Sequence, residues 1–304
     1  MILVTGATGF IGTGVLARLA ASGRAWVGVG RQRALRGACR GAERTITPFH
    51  WDLSNLAALL EAVRPAAVIH LAGSAVAFDA PRIDGHVAAL EELLAACQST
   101  GQRPRIVFAS SAAVYGTRPR AVRLNASSPT SAQGAYGRAK LACEARLGQV
   151  ADAEGMQAVA ARIFNATGPG QRSGLLVDIL DQIDLSAPRG TPLRLTLRNQ
   201  ASHRDFVDIR DVGRCLIALA DAAEAPKGTV VNVCSGRGTS VRAVVEIVAD
   251  LLGRPADVRV SCPETEPDFS IGDAAACLKL LARPPIPLRR SIADAIAARR
   301  SRPT

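Results

Sequence analysis

MILVTGATGFIG, Met1 to Gly12, decides the fold. Ile2 to Val4 form a short apolar run suited to a strand, and glycines follow at 6, 9 and 12. From Gly14 to Ala21 the apolar residues Val15, Leu16 and Leu19 fall on one helical face. A Gly-x-x-Gly-x-x-Gly pattern by itself is a common turn. Between a strand and a helix it acquires a mechanism. Gly6 permits the tight turn, Gly9 lets a pyrophosphate approach backbone N–H groups, and Gly12 lets helix and sheet pack closely. The helix N-terminus adds a positive dipole end beneath the phosphates. The stretch therefore predicts a dinucleotide site.

The same alternation continues downstream. AWVGVG (25–30), RPAAVIHLAG (64–73), PRIVFASSAAVYG (104–116) and QAVAARIFNATGPG (157–170) read as strands. DGHVAALEELLAACQ (84–98) and GAYGRAKLACEARLGQV (134–150) read as helices. Near-continuous Val/Ile/Ala strands alternating with helices specify an α/β, doubly wound parallel sheet covered on both faces. This places a dinucleotide-binding domain at residues 1–165. From 166 to 304 the pattern loosens into a smaller, mixed α/β substrate region. It holds helical LLVDILDQI, RDVGRCLIALADAA, SVRAVVEIVADLLG and RRSIADAIAARR, and strand-like PLRLTLRNQASHRDFVDI and GTVVNVCSG. The helix near 209–223 is expected to pack back on the sheet domain.

Composition narrows the function classes. The 304 residues are 48% apolar and 4% aromatic, with a net charge of +11. The arginines are scattered, and the only tight basic cluster is RRSRP at 299–303. No RNP-like aromatic pattern, zinc-finger spacing or helix-turn-helix is visible, so nucleic acid is not an expected partner. Seven cysteines without a CxxC pair suit buried reduced thiols, and four histidines without HxH or HxxxH spacing argue against a metal site. No apolar run reaches the ~18 residues of a membrane span, and no signal peptide precedes the first strand. The expected compartment is the cytoplasm.

The end of the second strand points to the cofactor. An NAD-preferring loop places an acid there to hold the ribose 2′-OH. VGVGRQR (27–33) has no acid, and Arg31 and Arg33 stand in its place. A guanidinium can pair with a 2′-phosphate, which favours NADP(H), with NAD(H) as the alternative. Asp52, in HWDL, is placed to hydrogen-bond the adenine amine.

Only two tyrosines occur, Tyr115 and Tyr136, and only three lysines, Lys140, Lys227 and Lys279, among 37 − 3 = 34 arginines. Tyr136 precedes Lys140 by four residues, which puts both on one helix face. A buried ammonium beside a phenol favours phenolate, so the spacing predicts a Tyr136 pKa lowered from its ~10 reference. Such a phenol exchanges a proton with a substrate oxygen. Lysine's compact ammonium also reaches both hydroxyls of a nicotinamide ribose, which arginine's flat fork does less well. Ser111, at the end of the strand in FASSAAVYG, would polarise the same oxygen; adjacent Ser110 competes, and strand alternation points it the other way.

TGATGFIG, HLAG, SSAAVYG, YGRAK, RIFNATGPG and RDFVDIRDV, in this order, resemble the extended short-chain dehydrogenase/reductases acting on nucleotide sugars. The likeness covers essentially the whole chain and is nearest to the GDP-4-keto-6-deoxymannose reductase group. It implies a Rossmann-type fold and a catalytic trio of Ser111, Tyr136 and Lys140. It further implies cofactor contacts from Gly6, Gly9, Phe10, Ile11, Gly12, Asp52 and Leu53, and from Leu71, Ala72 and Gly73. Substrate contacts would come from Asn165 and from Arg204, facing the pyrophosphate of a nucleotide-diphosphate sugar. A homodimer through a four-helix bundle that includes the Tyr136 helix is also implied. The chain departs from the family where His86 replaces an Asn, where CPET at Cys262 replaces RPxD, and where SAVAFDAPRID (74–84) lacks the usual long loop. His86 reads as a residue of the helix start.

Chemistry selects among the family's reactions. Dehydratases carry an acidic trio where this chain has Ser111, Ala112 and Ala113, and methyl groups cannot eliminate water. A 4-epimerase retains NAD, whereas a reductase consumes NADPH, so the two arginines favour reduction of the C4 ketone of an NDP-4-keto-6-deoxyhexose. A 4-epimerase is the alternative. A non-catalytic NADP(H)-sensing protein is disfavoured because Tyr136 and Lys140 are both present.

Overall fold

The computed structural model describes residues 1–30, 33–37, 45–73, 80–222, 229–262 and 264–301; at 33–37, 45–48 and 80–84 the description is of the backbone. In chain order, β1 (Ile2–Thr5), α1 (Phe10–Ala21) and β2 (Trp26–Val29) are followed by β3 (Arg33–Gly37), β4 (Thr45–Pro48) and α2 (Leu53–Val63). Then come β5 (Ala67–His70), α3 (Ala80–Ser99), β6 (Arg105–Ser111), a 3-10 turn at Ala112–Tyr115, β7 (Arg123–Leu124) and α4 (Ala135–Glu154). β8 (Ala158–Ile163), β9 (Asn165–Thr167), α5 (Leu175–Leu180), β10 (Leu193–Leu197), β11 (His203–Asp208) and α6 (Ile209–Asp221) continue the chain. The last elements are β12 (Thr229–Val233), β13 (Gly238–Ser240), α7 (Val241–Leu252), β14 (Ala256–Val260), β15 (Phe269–Gly272), α8 (Ala275–Leu281) and α9 (Leu288–Arg300).

These elements sort into two compact units. The first comprises Met1–Gly116, Pro129–Ile163 and Val212–Asn232; the second comprises Thr117–Ser128, Phe164–Asp211 and Val233–Thr304. A single cut at residue 165 thus needs correcting, because Thr117–Ser128 belongs to the second unit, where β7 pairs in parallel with β15. Such a two-residue strand carries too little pattern to announce its distant partner.

In the first unit the sheet order is β12-β8-β6-β5-β1-β2-β3-β4. The pairs β8–β6, β6–β5, β5–β1 and β1–β2 are all parallel, which makes this the α/β, Rossmann-type sheet. β3 and β4 extend it as antiparallel strands. The reason is length: β2 ends at Val29 and β3 begins at Arg33, leaving no room for the crossover that parallel pairing needs. One face is covered by α2, α3 and α4, whose Leu56, Leu60, Leu90, Leu94, Cys143 and Leu147 join Leu3, Val68, Ile106 and Phe108 in one core. α1 packs on β1 and β2. α6 runs against α1 at Gly213, where a Cβ would stand 3.4 Å from the Gly14 carbonyl oxygen.

The second unit is built from short strands. β13, β11, β15 and β7 form a sheet to which β9 adds alongside β11, and β10 pairs with β14. Two stretches read as single strands divide here. PLRLTLRNQASHRDFVDI becomes β10 and β11 in separate sheets, broken where Asn199 Oδ1 accepts from the Ala201 and Ser202 N–H groups at 2.8 and 3.2 Å. QAVAARIFNATGPG becomes β8 and β9, in different units. The core of the second unit includes Leu176, Leu193, Leu195, Val244, Val248 and Ile292.

Candidate active site

Parallel β1, β5 and β6 end on the same edge of the sheet, which gathers the glycine loop, Leu71–Gly73 and Ser111 there. Gly6 has φ +65°, and a Cβ on it would lie 2.6 Å from the backbone carbonyl of Leu71. Glycine is thus what lets the loop after β1 press against the segment after β5. Gly12 is equally confined, with a Cβ falling 2.7 Å from Ala7 Cα. Gly9 differs: among the described residues its Cβ would meet only the Gly6 oxygen, at 3.2 Å, and otherwise open space. Gly9 is also the N-cap of α1 and offers no side-chain cap, so the first N–H groups of the helix, at Phe10 and Ile11, suit an anion. The loop fits a dinucleotide pyrophosphate on these grounds.

Thr5 braces this edge. Its Oγ1 accepts from the N–H groups of Leu71 and Ala72 at 3.1 and 3.2 Å, and lies 2.9 Å from His70 Nδ1. With both lone pairs in use, the hydroxyl donates to His70 Nδ1, which places the imidazole proton on Nε2. Burial holds His70 neutral, its pKa pushed down to about 3. Asp52 caps α2: it accepts from Asn55 N and Ser54 Oγ at 2.8 Å each and from Asn55 Nδ2 at 2.6 Å. The Asn55 N–H foremost, then Ser54, lower its pKa. Leu53 is exposed in the first turn of α2. Arg31 lies outside the described residues; Arg33 is in β3, with its side chain outside them.

The structure brings Ser111, Tyr136 and Lys140 together in the first unit. Tyr136 sits in the first turn of α4, with Ser111 near enough to its phenol to lower the pKa. Ser111 Oγ also accepts from Ala113 N at 3.2 Å, which fixes the hydroxyl at the cap of the 3-10 turn. Ser110 points the other way and donates to Glu144. Lys140 is buried one turn beyond Tyr136, its Nζ donating to the Ala109 carbonyl at 2.8 Å. The same nitrogen lies 4.7 Å from the Phe108 ring centroid and 5.7 Å from that of Tyr136. Burial pushes its pKa down to about 8, against the pull of Cys143 and Glu144.

The expected acidified phenol needs correcting. The Tyr136 pKa is raised, because burial outweighs the lowering by nearby Ser111. The ammonium does not offset this, since it stands off the ring and gives a hydrogen bond to a backbone carbonyl. His86 is also not at a helix start. It lies inside α3, buried, with its ring edge-on to Tyr136 at 5.5 Å and pressed against the Cα of Gly73.

Asn165 and Arg204 belong to the second unit. Asn165 Nδ2 donates to the Asp205 carbonyl at 3.2 Å. Arg204 Nη2 lies 2.9 Å from each oxygen of Asp268, while Nη1 donates to the carbonyls of His203 and Asp268. Its charge is matched within its own unit. Among the described residues no cluster of three or more His, Cys, Asp or Glu could hold a metal, and no helix is long and apolar enough to cross a membrane.

The sequence pattern of the NAD dependent epimerase/dehydratase family matches residues 2–234. The chain belongs to this family. Two relatives show its range. A dTDP-6-deoxy-L-talose 4-dehydrogenase (NAD(P)(+)) of Kitasatospora kifunensis is 28% identical over 84% of this chain and 80% of its own. A GDP-6-deoxy-D-mannose reductase of Pseudomonas aeruginosa is 29% identical over 82% and 79%. Among solved structures, RMD from Pseudomonas aeruginosa complexed with NADPH superposes with a TM-score of 0.80 at 27% identity, covering 98% of this chain and 97% of that one. The Thermus thermophilus UDP-glucose 4-epimerase complex with NAD gives 0.80 at 25% identity, covering 99% of both. Beside the family motifs, this member buries two charges that sequence reasoning passed over, Glu144 and Arg162. The signals were a carboxylate four residues after Lys140, on the same helix face, and a lone arginine in the apolar strand AVAARI.

Proposed function

We propose that this protein reduces the C4 ketone of an NDP-4-keto-6-deoxyhexose to the hydroxyl, using NADPH. The observation that carries the reading is the gathering of Tyr136, Lys140 and Ser111 at the sheet edge. Lys140 Nζ is seated on the Ala109 carbonyl 5.7 Å from the Tyr136 ring centroid, and burial keeps the phenol protonated. Reduction consumes a proton at the ketone oxygen, and a neutral phenol has one to give. A 4-epimerase retains NAD, and the absence of an acid after the second strand, in VGVGRQR, favours NADP(H) instead. When bound, NADPH supplies the hydride. Tyr136 donates its proton to the carbonyl oxygen, Ser111 hydrogen-bonds that oxygen, and Lys140 offers its ammonium to the nicotinamide ribose. Arg31 and Arg33 are assigned to the 2′-phosphate on the sequence argument alone. Asn165 and Arg204 are assigned to the sugar nucleotide by likeness to the family. The same reading has the protein act in the cytoplasm as a homodimer.

The test is NADPH oxidation followed spectrophotometrically with GDP- and dTDP-linked 4-keto-6-deoxyhexoses. Tyr136→Phe is expected to lower turnover by roughly 10²- to 10⁴-fold while fluorescence titration shows NADPH binding intact. An unchanged rate refutes the assignment. Interconversion of UDP-glucose and UDP-galactose without net NADPH loss would replace it with the epimerase reading.

A further inference from the structure

One turn beyond Lys140, the site helix carries a second buried charge that the proposed chemistry does not use. The Glu144 and Arg162 side chains are 7% and 6% exposed. Arg162 Nη2 donates to Glu144 Oε2 at 2.6 Å, and Nε donates to Oε1 at 2.9 Å. Glu144 Oε1 also accepts from the Ser110 hydroxyl. On the far side, the Arg162 guanidinium lies 4.7 Å from the Tyr115 ring centroid, and the Tyr115 hydroxyl donates to Asn232 Oδ1 at 2.7 Å. One carboxylate on α4 thus joins β6 and β8.

Its place in the chain gives this pair a meaning beyond stability. Buried ion pairs are weak stabilisers, and well-packed apolar residues often replace them without loss. Here the fixed atoms are consecutive. Lys140 holds the carbonyl of Ala109, Glu144 holds the hydroxyl of Ser110, and the next residue on the strand is Ser111. Two side chains one helical turn apart therefore set how α4 lies against the end of β6, which sets the distance between Tyr136 and Ser111.

We propose that Glu144, held by Arg162, is a positioning residue that clamps α4 to Ser110 and so keeps Tyr136 and Lys140 in register with Ser111. The proposal rests on the reading of Ser111, Tyr136 and Lys140 given above. The carboxylate has an electrostatic effect as well, since its charge helps Lys140 keep its proton. The titratable groups around that ammonium are Tyr136, Cys143 and Glu144 on α4 and His70 on β5, with His86 on α3 and Arg162 on β8 next outward.

The decisive measurement is a kcat against KM split with a pH profile, on Glu144→Gln and Ser110→Ala. Ser110→Ala keeps the ion pair, so it serves where Glu144→Gln fails to fold. The clamp predicts that kcat falls roughly 10- to 100-fold in both, with KM for the sugar nucleotide and NADPH affinity unchanged. In Glu144→Gln the alkaline limb of kcat/KM also moves to lower pH, because a supporting negative charge is gone. Folded variants with lower melting temperatures but wild-type kcat and pH limb overturn the clamp. Tyr136→Phe separates the two ideas. If it is inactive while both clamp variants behave as wild type, the clamp alone fails; if it retains full turnover, the site reading fails and the clamp with it.

Discussion

Lys140 and Arg204 are both cations expected at the site, and the fold treats them in opposite ways. Lys140 is buried against a carbonyl oxygen and two aromatic rings, an environment that pushes its pKa down to about 8. The Arg204 side chain is 26% exposed and meets both oxygens of Asp268. One charge is kept under cost in the first unit; the other is matched in the second. An enzyme gains from the first arrangement, because a desolvated charge interacts strongly with whatever is brought beside it. A satisfied surface pair has less to offer a ligand.

The largest expected effect tests that contrast directly. Lys140→Met should lower kcat by about 100-fold or more, as loss of a preorganised charge does, and Lys140→Arg should not restore it, since a flat guanidinium cannot occupy the seat on the Ala109 carbonyl with the same geometry. Arg204→Met should act mainly on KM for the sugar nucleotide and change kcat by less than about 10-fold, in line with a group already committed to a carboxylate. Steady-state kinetics on the three variants, alongside circular dichroism to verify folding, checks the order. Equal losses in kcat for Lys140→Met and Arg204→Met would erase the distinction between the two cations.

The pH profile sharpens it further. The reductive direction needs a protonated Tyr136 and a charged Lys140, and both forms are lost as pH rises. Tyr136 is raised and Lys140 lowered to about 8, so the lysine titrates first and sets the alkaline limb of kcat/KM in the free enzyme. Activity should fall by up to about tenfold per unit above that point. His70, neutral with a pKa of about 3, adds no limb between pH 5 and 8. A profile flat from pH 7 to 10 would mean that the Lys140 charge is not required.

The two units also differ in how much of them could be read from the residues. In the first, the glycine loop, Tyr136 and Lys140 are local patterns: their spacing reports a turn or a helix face before any tertiary contact exists. The second resists because its sheets join strands of two to six residues across long separations, as when Arg123 pairs with Ile271. The same limit appears inside the first unit wherever burial decides. Nothing local marks Tyr136 as desolvated, so its pKa was expected to move down when the surrounding protein moves it up. Glu144 and Arg162 each leave a local signal, but their pairing is hidden, because it depends on β8 lying beside β6.

Asp52 gives the smallest of these effects and shows how one residue can fit two accounts. Its position after β4 suits the adenine of a dinucleotide, yet its carboxylate caps α2 through Asn55 N and Ser54 Oγ. Those contacts fill Oδ1 and leave acceptor capacity on Oδ2, which takes only the Asn55 amide, so the cap and a ligand contact are compatible. Asp52→Ala removes both and should destabilise the protein through loss of the cap, seen as a lower melting temperature without ligand. Asp52→Asn separates the roles, since an amide oxygen still caps the helix while the exposed negative charge is lost. If the carboxylate meets the adenine amine, Asp52→Asn keeps the melting temperature and weakens NADPH binding a few-fold. If capping is its whole task, cofactor affinity stays at the wild-type value and only Asp52→Ala melts early.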